Sequence, residues 1–74
     1  MIKFNEHLKN VRKYHNKTQK EVAVALGITE RNYQTLEYGK SKPSFDTLIS
    51  LAEYFEVSID YLVGRTDDPK LYKK

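Results

Sequence analysis

Cysteine is absent from all 74 residues. That removes disulfide bridges and thiolate zinc sites, two supports on which small domains lean. One domain at most fits in this length, and it buries only about 60% of the surface its unfolded chain exposes. Helix packing, helped or not by self-association, has to hold it. Lack of cysteine also fits a reducing compartment. No apolar run approaches the roughly 20 residues of a membrane span. The opening Met1-Ile2-Lys3-Phe4-Asn5-Glu6-His7 puts charges where a secretion signal needs an apolar stretch. A soluble, intracellular chain is expected.

Catalytic constellations are as scarce. His7 and His15 stand eight apart, in nearly the same helical direction but about two turns distant. They cannot share a metal, and each is expected to be a solvated or core-edge side chain. Asp67-Asp68 lacks the glycine and ligand spacing of a calcium loop. There is no glycine-rich phosphate loop, nucleophile elbow or zinc motif. No catalytic residue, metal, cofactor or small-molecule substrate is therefore expected, and an enzyme is not. Strand-like alternation, internal repeats and low-complexity stretches are also missing.

What is present is an uneven charge distribution. Residues 1–42 hold nine Lys/Arg against four Asp/Glu, whereas residues 43–69 hold one, Arg65, against six. Lys70, Lys73 and Lys74 make the last five residues basic again. A basic half beside an acidic half fits a chain that presents one side to a polyanion. A scattered, solvated surface is the alternative on charge alone.

Apolar periodicity predicts five helices. The first, about Asn5 to His15, carries the stripe Phe4, Leu8, Val11. The second begins at Thr18, where Thr18-Gln19-Lys20-Glu21 fits a capping box. It turns Val22, Ala23 and Leu26 inward and stops at Gly27. The third starts from a Thr29 cap, runs to about Tyr38 and stops at Gly39. Pro43-Ser44 opens the fourth, with Leu48, Leu51, Ala52 and Phe55 facing inward. Ser58 caps a short fifth, Ile59 to Val63, with Ile59 and Leu62 inward and Gly64 after it. Residues 1–66 read as the domain and 67–74 as a mobile tail.

The tight Gly27-Ile28-Thr29 connection between the second and third helices is the strongest signal. It fits two helices crossing steeply, with small Ala23 allowing close approach and Ile28 plugging the corner. On the third helix, Tyr33 and Leu36 fall on the inner face, and Glu30, Arg31, Gln34, Thr35 and Tyr38 on the other. Any surface helix has a polar face. After such a turn, however, these side chains are equipped to read base edges. Arg suits guanine, Gln adenine and Glu cytosine, and the Thr methyl suits the thymine methyl. Lys40, Ser41 and Lys42, after the helix, can donate to phosphates, and Lys13 and Lys17 can add charge.

Thr18-Gln19, Val22-Ala23, Gly27-Ile28-Thr29, Glu37, Gly39 and Pro43 together resemble the Cro/lambda-repressor-type helix-turn-helix proteins, the Xre group. The likeness continues through Leu48, Leu51-Ala52 and residues 57–62, so it covers about residues 4 to 66. Val22 departs from the usual leucine. Tyr33 departs from the usual Ile or Val, and its hydroxyl needs a partner or a path to solvent. Gln34 departs from a common Ser. The resemblance implies an all-α, compact five-helix domain with sequence-specific DNA binding and transcriptional repression. The polar face of the third helix independently gives base readout by Glu30, Arg31, Gln34 and Thr35. The resemblance implies a phosphate contact at Gln19 and a structural ion pair between Arg12 and Glu37, and Thr29, Tyr38, Lys40, Ser41 and Lys42, around the third helix, are the other expected phosphate contacts.

The expected partner is double-stranded DNA, as a palindromic operator bound by a weak homodimer or by monomers that pair on the DNA. Tyr61, Val63 and Arg65 are the expected dimer contacts, because the fifth helix is too short to turn all its apolar side chains inward. A cytoplasmic protein, bacterial or phage-encoded and on the nucleoid when bound, follows from that reading. A protein-interaction module on the same fold, an antirepressor or antitoxin-like partner, remains the alternative. An apolar patch on the third helix would favour it.

Overall fold

The computed structural model describes residues 3–66, and the tail expected at 67–74 lies outside the described residues. Five helices follow one another: α1 (Phe4–Tyr14), α2 (Gln19–Leu26), α3 (Glu30–Glu37), α4 (Phe45–Phe55) and α5 (Ile59–Leu62). The described residues contain no strand. None of their helices is long and apolar enough to cross a membrane.

Local chemistry sets most of the ends. The capping box of α2 is complete: the Glu21 backbone N–H donates to the Thr18 hydroxyl at 3.0 Å, and the Thr18 N–H donates to the Glu21 carboxylate at 2.8 Å. Thr29, Ser44 and Ser58 each accept a backbone N–H three residues on, which starts α3, α4 and α5. Gly27 stops α2 with φ +73°, a left-handed conformation that costs glycine little. α1 starts at Phe4 and ends at Tyr14, each one residue earlier than the periodicity predicts. Asn16, at φ +58°, makes the reversal after it. Val63, expected inside α5, is its C-terminal cap.

One apolar core holds the helices. It contains Leu8 and Val11 from α1, Val22 and Ala23 from α2, Tyr33 and Leu36 from α3, Leu51, Ala52 and Phe55 from α4, Val57, and Leu62 from α5. Leu26, Ile28 and Leu48 pack at its margin. Ile59 corrects an expectation, because it is 37% exposed rather than inward. In this four-residue helix Leu62 takes the buried position and Tyr61 packs at the core margin beside it, which leaves Ile59 toward solvent. α1 packs on both α3 and α5, and α4 on both α2 and α5. This frame clamps the α2–α3 pair from behind and leaves the outer side of α3 uncovered.

Candidate nucleic-acid interface

α3 lies at the surface with Glu30, Arg31 and Asn32 exposed, Gln34 and Thr35 half-buried, and Tyr33, Leu36 and Glu37 buried. Its inward side is therefore apolar apart from two groups, the Tyr33 hydroxyl and the Glu37 carboxylate. Its outward side is wholly polar. Glu30 and Arg31 make no ion pair with each other among the described residues, so the Arg31 guanidinium is unengaged. Asn32 is missing from the sequence-derived set of readers, yet it is exposed beside Arg31. Its direction, between the two faces of the helix, gave no periodicity signal.

The structure brings Arg12 and Glu37 together. Arg12 Nε donates to Glu37 Oε2 at 2.5 Å and Arg12 Nη2 to Oε1 at 3.1 Å, the paired geometry of a guanidinium and a carboxylate. Two further donors complete the carboxylate: the Tyr33 hydroxyl on Oε2 at 2.5 Å and Gln19 Nε2 on Oε1 at 3.1 Å. Four donors match the lone pairs a carboxylate offers. Arg12 Nη1 also donates to the Lys17 carbonyl at 2.9 Å. One buried charge pair thus ties α1, the α1–α2 turn, α2 and α3 at a single point.

The electrostatics follow from that geometry. Burial pushes the Glu37 carboxyl up. The hydrogen bonds from Arg12, Tyr33 and Gln19, with the Arg12 charge, outweigh it and hold the group below its ordinary value. Burial, and then the bond to Glu37, drives the Tyr33 hydroxyl well above its ordinary range. The hydrogen bond to Glu37 raises Arg12 against the opposing effect of burial. The Tyr33 hydroxyl finds its partner inside the core, and that is how a tyrosine fits where an aliphatic residue is usual.

Around α3 the polar groups divide by how they are already engaged. Gln19 is turned toward the network, with Nε2 on Glu37 and Oε1 accepting from Gln34 Nε2 at 3.2 Å. The Thr35 hydroxyl donates to the Asn32 carbonyl at 2.7 Å. Its one proton is spent there, so in the 2.7 Å contact between Thr35 Oγ1 and Ser41 Oγ the donor must be Ser41. Ser41 then has no proton left to give. Thr29 accepts from the Asn32 N–H at 3.0 Å and keeps its own proton. Tyr38 is 59% exposed, and Lys40, Lys42, Lys13 and Lys17 are all exposed. Tyr61 and Val63 are half-buried, and Arg65, exposed just beyond α5, lies 3.8 Å from Asp60 on that helix.

His7 and His15 both sit at the edge of the core. The His7 ring meets Tyr61 edge-on, and the His15 ring packs against Phe55. Among the described residues no group of three metal-binding side chains converges.

Two short helices joined by a glycine corner, the second with an uncovered polar face, define a helix-turn-helix domain of the lambda-repressor-like kind. The family model described as helix-turn-helix matches residues 8–62, and the chain belongs to that family. It is 39% identical over 64 residues to the uncharacterized HTH-type transcriptional regulator YobD of Bacillus subtilis, a match covering 86% of this chain and 57% of YobD. It is 41% identical over 64 residues to the cryptic phage CTXphi transcriptional repressor RstR of Vibrio cholerae, again covering 86% and 57%. The P22 c2 repressor, solved in complex with a synthetic operator, shares the fold with a TM-score of 0.81. That likeness covers 89% of this chain and 100% of that one at 20% identity. The chain spans less than two thirds of the length of YobD and RstR.

Proposed function

We propose that this chain is the DNA-binding part of a transcriptional regulator, a repressor, that lays α3 in the major groove of its operator. The observation that carries the reading is the outward face of α3. Glu30, Arg31 and Asn32 stand exposed on a helix locked from behind by the Arg12–Glu37 pair, and no apolar side chain of α3 is exposed. The names of RstR, a transcriptional repressor, and of the operator-bound P22 c2 repressor support the same reading. Base readout falls to Arg31, Glu30, Gln34 and the Thr35 methyl. Phosphate contacts fall to Gln19, Thr29, Tyr38, Lys40 and Lys42, with Lys13 and Lys17 adding charge. Ser41 is better placed to orient Thr35 than to donate to a phosphate, because its hydroxyl proton is already used.

One recognition helix covers few base pairs, so we place the protein on a two-fold operator as a weak dimer or as monomers that pair on DNA. Tyr61, Val63 and Arg65 form the contact, joined by the exposed Ile59. Such a regulator works in the cytoplasm, on the nucleoid when bound. Selection of bound sequences from a random duplex pool tests the whole reading. Enrichment of one motif in two inverted half-sites is expected. Recovery of unselected sequence would overturn base readout, and no retention of duplex at all would move the function to protein interaction.

A further inference from the structure

The contact between Gln19 and Gln34 has a direction that the chemistry of Glu37 imposes. An ionised carboxylate only accepts hydrogen bonds. Glu37 Oε1 lies 3.1 Å from the Gln19 amide, so it must face Nε2 and not Oε1. With its nitrogen held there, Gln19 turns its oxygen the other way. The group 3.2 Å from that oxygen is the Gln34 amide, which must answer with Nε2. The sense of both amides therefore descends from one buried negative charge, Glu37, 18 residues along the chain from Gln19, which itself lies 15 residues from Gln34. Gln34 is left with one free N–H and its oxygen, on the half-buried edge of the recognition helix.

We propose that Gln19 is a positioning residue that sets the reading polarity of Gln34 and makes Gln34 prefer adenine over guanine. Adenine offers a donor and an acceptor in the major groove, N6 and N7, and one oxygen with one N–H matches them. Guanine offers two acceptors, N7 and O6, which require two donors. Gln34 has already given one of its N–H groups to Gln19, and its oxygen would face an acceptor. The inference rests on the DNA-reading role proposed for α3 and adds to it a route by which the core dictates base preference.

Two measurements test it. The first is binding to the selected site with each of the four base pairs at the position read by Gln34, for Gln19→Met, Gln34→Met and the double variant. Gln19→Met frees the second N–H of Gln34, so the adenine-over-guanine preference falls about tenfold, the discrimination of one bidentate pair. Gln34→Met has lost that preference, and adding Gln19→Met to it changes nothing at that base pair. If Gln19→Met weakens all four sites alike with the preference intact, Gln19 acts as a phosphate contact alone and the proposal is overturned. Gln19→Asn, one methylene too short to span both neighbours, gives the same expected loss if Gln19→Met does not fold. The second measurement needs no DNA: the side-chain NH2 resonances of Gln34 in the free protein shift in Gln19→Met. Unmoved resonances overturn the relay alone, whereas failure of the wild-type chain to bind any duplex overturns the reading beneath it.

Discussion

Glu37 keeps a full charge with only 4% of its surface exposed, and its four hydrogen bonds come from three residues on three helices, two from Arg12 and one each from Gln19 and Tyr33. Glu37→Gln leaves Arg12 buried without its counter-charge, at a cost of about 3–5 kcal/mol, read as a lower urea midpoint at neutral pH. The folded carboxyl titrates below its ordinary 4.5. Its contribution is therefore complete above pH 4.5 and is lost as pH falls through the lower folded value. Wild type and Glu37→Gln should converge in stability on acidification below 4.5; a constant gap would sink the assignment. Tyr33 runs the other way. Its folded value lies above the ordinary 10.0, so its contribution is complete below pH 10 and is lost as pH rises beyond it. Tyr33→Phe removes one donor to a charged group, costing about 1.5–3 kcal/mol, and thermal melts of the variant should lose less stability than wild type as pH rises above 10. On the outer side of the same helix, Arg31→Ala should cost about 1–3 kcal/mol on the selected site and relax one base pair per half-site. Lys40→Ala and Lys42→Ala should weaken selected and random duplex alike. Equal losses on both duplexes for Arg31→Ala would make Arg31 another phosphate contact.

The α2–α3 pair depends on its corner more than on the helices themselves, which are too short to persist alone. Gly27 has φ +73°, and an added Cβ there would meet nothing within 4 Å. Gly27→Ala therefore isolates the backbone cost, about 1–2 kcal/mol, and Gly27→Asn should recover part of it because asparagine tolerates the left-handed region. A loss several times larger would mean that the corner cannot adopt this geometry with any side chain, and the Cβ accounting would be wrong. The C-terminus of α4 supplies the reverse experiment. Glu56 ends that helix at φ +56° where glycine is the usual choice. Glu56→Gly should raise the melting temperature, by an amount worth about 0.5–1 kcal/mol. It lies away from α3 and should leave DNA affinity unchanged.

Across the molecule the charge division of the sequence becomes a division of surfaces. The α1–α3 part exposes Lys13, Lys17, Arg31, Lys40 and Lys42, with Glu6, Glu21 and Glu30 among them, while Glu53, Glu56 and Asp60, at the end of α4 and on α5, are exposed with Arg65 as the one cation beside them among the described residues. A dipole of this kind steers a polyanion toward α3 and keeps the opposite side away from it. Affinity for random duplex should fall with salt at about 0.9 log units per phosphate neutralised for each log unit of salt. Each lysine replacement near α3 should reduce that slope by about one contact, and Glu53→Lys, remote from α3, should leave it unchanged. The acidic end also contains the surface assigned to self-association. A Tyr61→Ala, Val63→Ser chain should bind a single half-site as wild type does but lose cooperativity on the full operator. Footprints that stay cooperative in that variant would place the contact elsewhere.

Helix positions were legible because their signals are local. A hydroxyl reaches a backbone N–H three residues on, a glycine reverses the chain where it stands, and apolar spacing shows which side of a helix turns inward. Thr18 with Glu21, Gly27, Thr29, Ser44 and Ser58 act within one turn of themselves and depend on no packing. The Arg12–Glu37 pairing came from resemblance, since nothing local joins positions 25 apart. Beyond that, packing decided. It decided that the Tyr33 hydroxyl ends on Glu37, that the Gln19 amide turns in to Glu37 and Gln34, that Ser41 spends its proton on Thr35, and that Ile59 yields the core to Leu62. A hydrogen-bond partner or a core position is settled by which atoms lie within about 3 Å once five helices have closed on one another. No spacing along the chain encodes that distance.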